Sequence, residues 1–230
     1  MTKKRLTIFV NLLFVVLMLN ASNIKRDSLH SLLENATEQD KINIYVALFK
    51  ETYRKDISEA ESYLIKAGKL EEQHPSKKQR AKIYNDFGLL NMYKSYYSES
   101  IKFYGKAEFI YLELNDSINL ADLYNNYGLI YDDQGDFVKA LEKYLKAYLI
   151  ASKVGYVEGL ASSTNNIGLI HAQQNNIDEA LKFFKLSLKG HKTLNNYTGI
   201  GNVTNNIGLI YSMKNRPDSA IVFFNEALGI

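Results

Sequence analysis

Apolar side chains recur along most of the chain at spacings of three and four. Within residues 116–155, Leu120, Tyr124, Tyr127 and Tyr131 form one stripe, "QGD" at 134–136 interrupts it, and Phe137, Leu141, Tyr144 and Tyr148 begin another. Positions three and four apart fall on one side of a helix, so each stripe predicts an amphipathic helix with one buried face. Gly135 stands where a helix end needs a left-handed backbone, and Asn175 and Asn215 occupy the same column. Asp136 is placed to cap the following helix, and Pro217 suits a first helical turn, where its missing N–H is no loss. The predicted element is helix, tight turn, helix.

The element repeats. Gly88, Gly128, Gly168 and Gly208 follow one another at a constant interval. The same period aligns Ala60, Ser100, Ala140, Ala180 and Ala220, all small, and Ala67, Ala107, Ala147, Ser187 and Ala227. It also aligns the bulky Leu64, Tyr104, Tyr144, Phe184 and Phe224. Several independent columns at one spacing are the signature of stacked repeats. Five follow, near 36–75, 76–115, 116–155, 156–195 and 196–230, joined by short polar loops such as "HPSKK" and "LNNYTG". Residues 22–35 are a lead-in, and no linker marks a second domain.

These columns resemble the tetratricopeptide repeat, a helix-turn-helix unit with preferred residue types at eight positions. In the third repeat Tyr124, Tyr127, Gly128, Tyr131, Ala140, Tyr144 and Ala147 match the first seven, while Ser152 replaces the final proline. The longer period resembles the version of the family with roughly 40 residues per repeat. The first repeat is degenerate, with Leu48 in the glycine column. The resemblance implies an all-α solenoid, a right-handed superhelix of stacked helix pairs, that binds protein or peptide.

A glycine inside a helix costs about 1 kcal/mol relative to alanine, so a column of them needs a packing reason. The small residues of the second helix supply one: Ala140 and Ala147 are expected against Gly128, with Tyr144 and Tyr131 filling the space on either side. No strand or glycine cluster accompanies it, which excludes a phosphate loop. Offset from the core stripe is a second face, carrying Lys82, Asp86 and Leu89 in the second repeat and Asp122, Asn126, Leu129 and Asp133 in the third. Asn166, Leu169 and Gln173 follow in the fourth, then Asn202, Asn206 and Leu209 in the fifth. In a stacked array the first helices line the concave side. Asn126, Asn166 and Asn206 are thus expected as a ladder along a peptide groove, with Asp86 continuing it. Amides both donate and accept, so such a ladder can grip an extended backbone whatever its side chains, as the resemblance implies, or the amides can bond to one another and hold the stack together. Asn125, Asn165 and Asn205, one step round the helix, read as structural.

Composition adds little chemistry. The formal charge is +3, but Lys3, Lys4 and Arg5 lie in the segment 1–21, which holds no acidic side chain, and the remaining basic residues equal the 25 acidic ones. A basic nucleic-acid surface is not indicated. The same segment, with a basic head, an apolar run from Leu6 to Leu19 and Ala21 at the end, reads as an export signal or membrane anchor. The run is shorter than the roughly 20 residues that span a bilayer core, which favours export and cleavage. The chain has no cysteine. His30, His74, His171 and His191 lack metal-ligand spacing, and His171 shares a column with Tyr131 and Tyr211, reading as a packing residue. Neither metal, cofactor nor catalytic constellation is expected.

The expected function is a noncatalytic scaffold for protein or peptide; because a long array behind an N-terminal signal resembles the sensor portions of bacterial membrane signalling proteins, the resemblance implies a sensory role. The alternative is the regulatory region of a longer enzyme such as a membrane sensor histidine kinase. The final "SAIVFFNEALGI" begins a second helix and lacks a polar cap, which suggests a longer protein or self-association through that open end.

Overall fold

A computed structural model describes residues 25–229, so the export-type segment lies outside the described residues. Among them are only helices. Residues 25–33 form α1. Ten helices follow: Glu38–Thr52 (α2), Ile57–Gln73 (α3), Lys77–Tyr93 (α4), Tyr97–Glu113 (α5), Ser117–Asp133 (α6), Phe137–Val154 (α7), Val157–Gln173 (α8), Ile177–Thr193 (α9), Tyr197–Met213 (α10) and Pro217–Leu228 (α11). The protein is an all-α solenoid of helix pairs. None of the described helices is long and apolar enough to cross a membrane.

The turns are set by single residues in left-handed backbone. Ser95, Gly135, Asn175 and Asn215 end first helices, with φ of 59°, 74°, 61° and 54°. A second left-handed column, Asn115, Gly155 and Asn195, ends the second helices and lies in loops that the sequence shows only as polar. The closure is the same each time: Gly135 N–H donates to Asp132 O and Asp136 N–H to Tyr131 O, both at 2.8 Å. These bonds satisfy carbonyls the helix end would leave open. The Asp136 carboxylate then accepts the N–H of Lys139 at 3.1 Å, capping α7. Pro217 occupies the first turn of α11.

The described residues divide into two compact bodies, 25–103 and 104–229. In the first, Leu48 and Phe49 of α2 pack with Ala60, Tyr63 and Leu64 of α3 and with Leu90 of α4. In the second, Ala140 and Tyr144 of α7 share a cluster with Ile167 and Ile170 of α8. Ala180 and Phe184 of α9 do the same with Val203, Ile207 and Ile210 of α10. Each cluster joins the second helix of one repeat to the first helix of the next. No helix pair completes its core alone, which is the physical meaning of the repeat.

The glycine column has a different partner from the one its spacing suggests. An ideal Cβ on Gly128 would lie 2.3 Å from the Tyr144 ring, and the closest ring atoms to Gly168 and Gly208 are at 2.8 Å (Phe184) and 2.6 Å (Phe224). The aromatic ring lies on the bare glycine, and the alanines flank the ring rather than filling the glycine site. Ala140 and Ala147 are fully buried on either side. Serines in the alanine columns bond the paired first helix: Ser100 Oγ donates to Gly88 O at 2.6 Å and Ser187 Oγ to Ala161 O at 2.7 Å.

Two stability outcomes follow from this geometry. Gly128→Ala drives a methyl into a fully buried ring, so it lowers stability by about 2 kcal/mol in urea unfolding, although alanine is the better helix former. A neutral or stabilising result would show that the ring can retreat. Ser95→Gly relieves a left-handed serine and raises stability by about 0.5 kcal/mol, read as a higher melting temperature.

Candidate functional site: the amide face of the first helices

The sequence places two adjacent amides at the centre of α6, α8 and α10, on the side away from the aromatic core. The structure joins four of them, Asn125, Asn165, Asn166 and Asn206, into one network. Asn166 Nδ2 donates to Asn125 Oδ1 at 3.0 Å, and Asn206 Nδ2 donates to Asn165 Oδ1 at 3.2 Å. Asn165 Nδ2 in turn donates to Asn166 Oδ1 at 3.3 Å. The links run from the second asparagine of one repeat to the first asparagine of the preceding one. The sequence reads the first column as structural and leaves the second open between groove contact and bonding to neighbouring amides; Asn166 and Asn206 do bond to neighbouring amides, in a strip that includes residues of both columns. Each Nδ2 carries two protons, so Asn166 and Asn206 retain a donor beyond the inter-repeat bond. Asn126, Asn166 and Asn206 are half-buried, so that capacity lies at an accessible surface.

Other predicted face residues are distributed unevenly. Asp122 accepts the Tyr156 hydroxyl at 3.2 Å. Gln173 is the exposed last residue of α8, and the Asp132 carboxyl is raised by burial and by neighbouring Asp133. Asp133 and Asn202 are exposed and Lys82 is half-buried. The leucine column does not stand open in the earlier repeats. Leu89, Leu129 and Leu169 are half-buried and pack against core clusters, whereas Leu209 is 50 % exposed. A leucine one turn beyond the amides is covered when another first helix packs beside its own, and α6 does contact α8.

Asp86 departs most from the expectation of an open ladder position. It is 2 % exposed, its Oδ1 accepts from Asn85 Nδ2 at 3.3 Å, and its Oδ2 has no hydrogen-bond partner. Burial pushes its carboxyl up to about 6, although Lys50, Asn85 and Lys82 all favour the charged form. Sequence reasoning also had no signal for Glu108, which accepts the Tyr124 hydroxyl at 2.6 Å and the Tyr127 hydroxyl at 3.4 Å. His171 stacks on Phe183 with ring centroids 5.5 Å apart, as a packing residue does. Among the described residues no group of three or more His, Asp or Glu could hold a metal ion.

The sequence pattern of the tetratricopeptide repeat matches residues 119–193 and 159–230. Residues 119–230 of the chain are tetratricopeptide repeats. No curated protein sequence matches it significantly. Solved structures match its tetratricopeptide fold. BtubC from P. vanneervenii superposes with a TM-score of 0.65 at 17 % identity, over 90 % of this chain and 87 % of that one. NprR in complex with its cognate peptide NprX gives 0.69 at 16 % identity, over 90 % of this chain and 60 % of NprR. A signal-transduction ATPase with a tetratricopeptide repeat sensor, from Pyrococcus horikoshii, gives 0.67 at 19 % identity, over 86 % of this chain and 31 % of that protein. At such identities the shared property is the fold. The amide strip belongs to this chain's own tetratricopeptide repeats.

The buried carboxylate makes a pH prediction. Its folded pKa lies above the ordinary 3.8, so the folded state binds the proton more tightly, and the resulting stability is present at low pH and lost as pH rises toward about 6. Asp86→Asn substitutes the amide that the later repeats carry. It removes that slope and raises stability at neutral pH by on the order of 2 kcal/mol, measured by urea unfolding from acid to neutral pH. An unchanged slope would assign the pH dependence to other groups.

Proposed function

We propose that the chain is a noncatalytic scaffold that holds a protein or peptide segment along the amide face of α6, α8 and α10. The observation that carries this reading is the strip itself. It is regular, half-buried, and has donor capacity beyond its internal bonds. Amides do not titrate near neutrality, so this face is suited to holding a backbone rather than moving protons. NprR, of similar fold, was solved with its cognate peptide, which supports the same use here. The wider role is the sensory portion of an exported or membrane-tethered signalling protein. The basic and apolar segment 1–21 supports export, and the ATPase whose tetratricopeptide repeats serve as its sensor supports the sensory role. The regulatory region of a longer signalling enzyme is the second reading, favoured by the same ATPase. Leu209 and Leu228, 50 % and 86 % exposed, support self-association through the last repeat.

Selection from a displayed random-peptide library tests the amide face. Peptides enriched on the full chain should lose about tenfold in affinity for the Asn126→Ala, Asn166→Ala double variant, the scale of one lost hydrogen bond. The melting temperature should fall modestly, because Asn125 loses its donor. Undiminished affinity per folded molecule would make the strip purely structural and sink the groove assignment.

A further inference from the structure

The second helices carry a separate feature. Between α7 and α9, floored by α8, lies an apolar slot of about 280 Å³. Its floor and walls include Tyr148, Val157, Leu160 and Leu186. Three polar side chains, Ser152, Thr164 and Thr193, also line it, with Lys189 among the lining residues. Leu186 is 43 % exposed, and Leu149, one residue beyond Tyr148 on α7, is 63 % exposed. This is apolar surface on both sides of a concavity, a pattern that marks recognition surfaces more often than scattered exposed leucines do.

The period explains why the slot is there. Residue 190 is glycine, while the equivalent positions are Leu70, Ile110 and Ile150. A Cβ on Gly190 would lie 2.8 Å from the Ala161 Cβ, so α9 approaches α8 closely at this point and contributes no side chain to fill the space. The fourth repeat has thus lost the aliphatic residue that the other repeats of the same chain keep.

Charge defines what could occupy it. Lys182, Lys185, Lys189 and Lys192 follow one another at spacings of three, four and three, which places them on one stripe of α9. All four are exposed, and none takes part in an ion pair among the described residues. By contrast, Lys139, Lys143 and Lys146 on α7 are paired with Asp136 or Glu142. The acidic residues of α9, Asp178 and Glu179, sit in its first turn, and Asp178 is engaged by Lys214 at 2.7 Å. The stripe runs alongside the slot, with Lys189 common to both.

We infer that the α7–α9 face is a second docking surface, distinct from the amide face, for an acidic amphipathic segment of a partner protein. A leucine or aromatic side chain of that segment enters the slot beside Gly190, and its carboxylates lie over the lysine stripe. Apolar anchoring supplies the residence time and the lysines supply orientation and encounter rate.

The test uses the full chain and a synthetic, fluorescently labelled amphipathic helix with leucines at helical spacing and glutamates elsewhere. Its control has the same leucines with lysines in place of glutamates. The acidic peptide should bind at least about tenfold more tightly than the control, and high salt should weaken it. Lys185→Glu with Lys189→Glu should abolish the preference, and Lys185→Arg with Lys189→Arg should keep it. Ser152→Phe, at an exposed rim position, should block the slot and weaken binding of the acidic peptide without lowering the melting temperature. Asn126→Ala with Asn166→Ala should leave this binding unchanged, which separates it from the amide-face reading. Equal binding of both peptides, or indifference to both the charge reversal and Ser152→Phe, overturns the inference. So does binding to phosphatidylserine-containing vesicles with no binding of the acidic peptide, which would assign the lysine stripe to a lipid surface.

Discussion

An aromatic ring lying on a bare helix backbone is the contact on which this architecture depends. Tyr144, Phe184 and Phe224 each occupy the surface of a glycine on the paired first helix. Two of these rings, Tyr144 and Phe184, also belong to the cluster shared with the next repeat. One side chain therefore fixes the spacing within a helix pair and helps to build the seam between pairs. The small columns on either side exist because a ring in that position leaves no room for larger neighbours. Removing water from such rings is the main favourable term available to a helix pair too small to enclose a core of its own.

Much of this was legible in the chain because repetition turns weak local signals into strong ones. A glycine, an alanine or a tyrosine alone says little, but columns at a fixed period identify which faces meet. Gly135, Asn175 and Asn215 announce the turn within a repeat by residue type. Ser95 in the same column does not, since serine carries no left-handed preference. What failed was the assignment of partners across a distance of one side chain. Gly128 meets a ring where the spacing points to alanines, because helix periodicity gives the direction of a residue and not the reach of its neighbour. Leu89, Leu129 and Leu169 face open groove in a single-helix view, which omits the first helix beside them. Asp86 reads as a surface carboxylate in sequence, and only three-dimensional burial reveals otherwise.

The two proposed surfaces differ in how they are made. The amide strip is regular, arising wherever the "NN" pair recurs, so its hydrogen-bonding groups extend over several repeats in the same arrangement. The slot between α7 and α9 is irregular, created by one departure from the period at Gly190 beside a lysine stripe that makes no ion pair among the described residues. Regular surfaces suit a backbone, which is itself periodic, while irregular ones suit a particular side-chain sequence. A scaffold with both kinds can hold one segment by its main chain and another by its chemistry.

Two cross-repeat amide bonds point the same way. Asn166 donates back to Asn125 and Asn206 donates back to Asn165, so both bonds run from a later repeat to an earlier one. Such an array has polarity, with each donor facing the preceding repeat and each acceptor the following one. A duplicated repeat inserted into it would arrive with its donor matched to the acceptor before it and its acceptor matched to the donor after it. Lengthening by gene duplication would then require no new complementary surface, and the near-identical "NNIGLI" segments fit such copying.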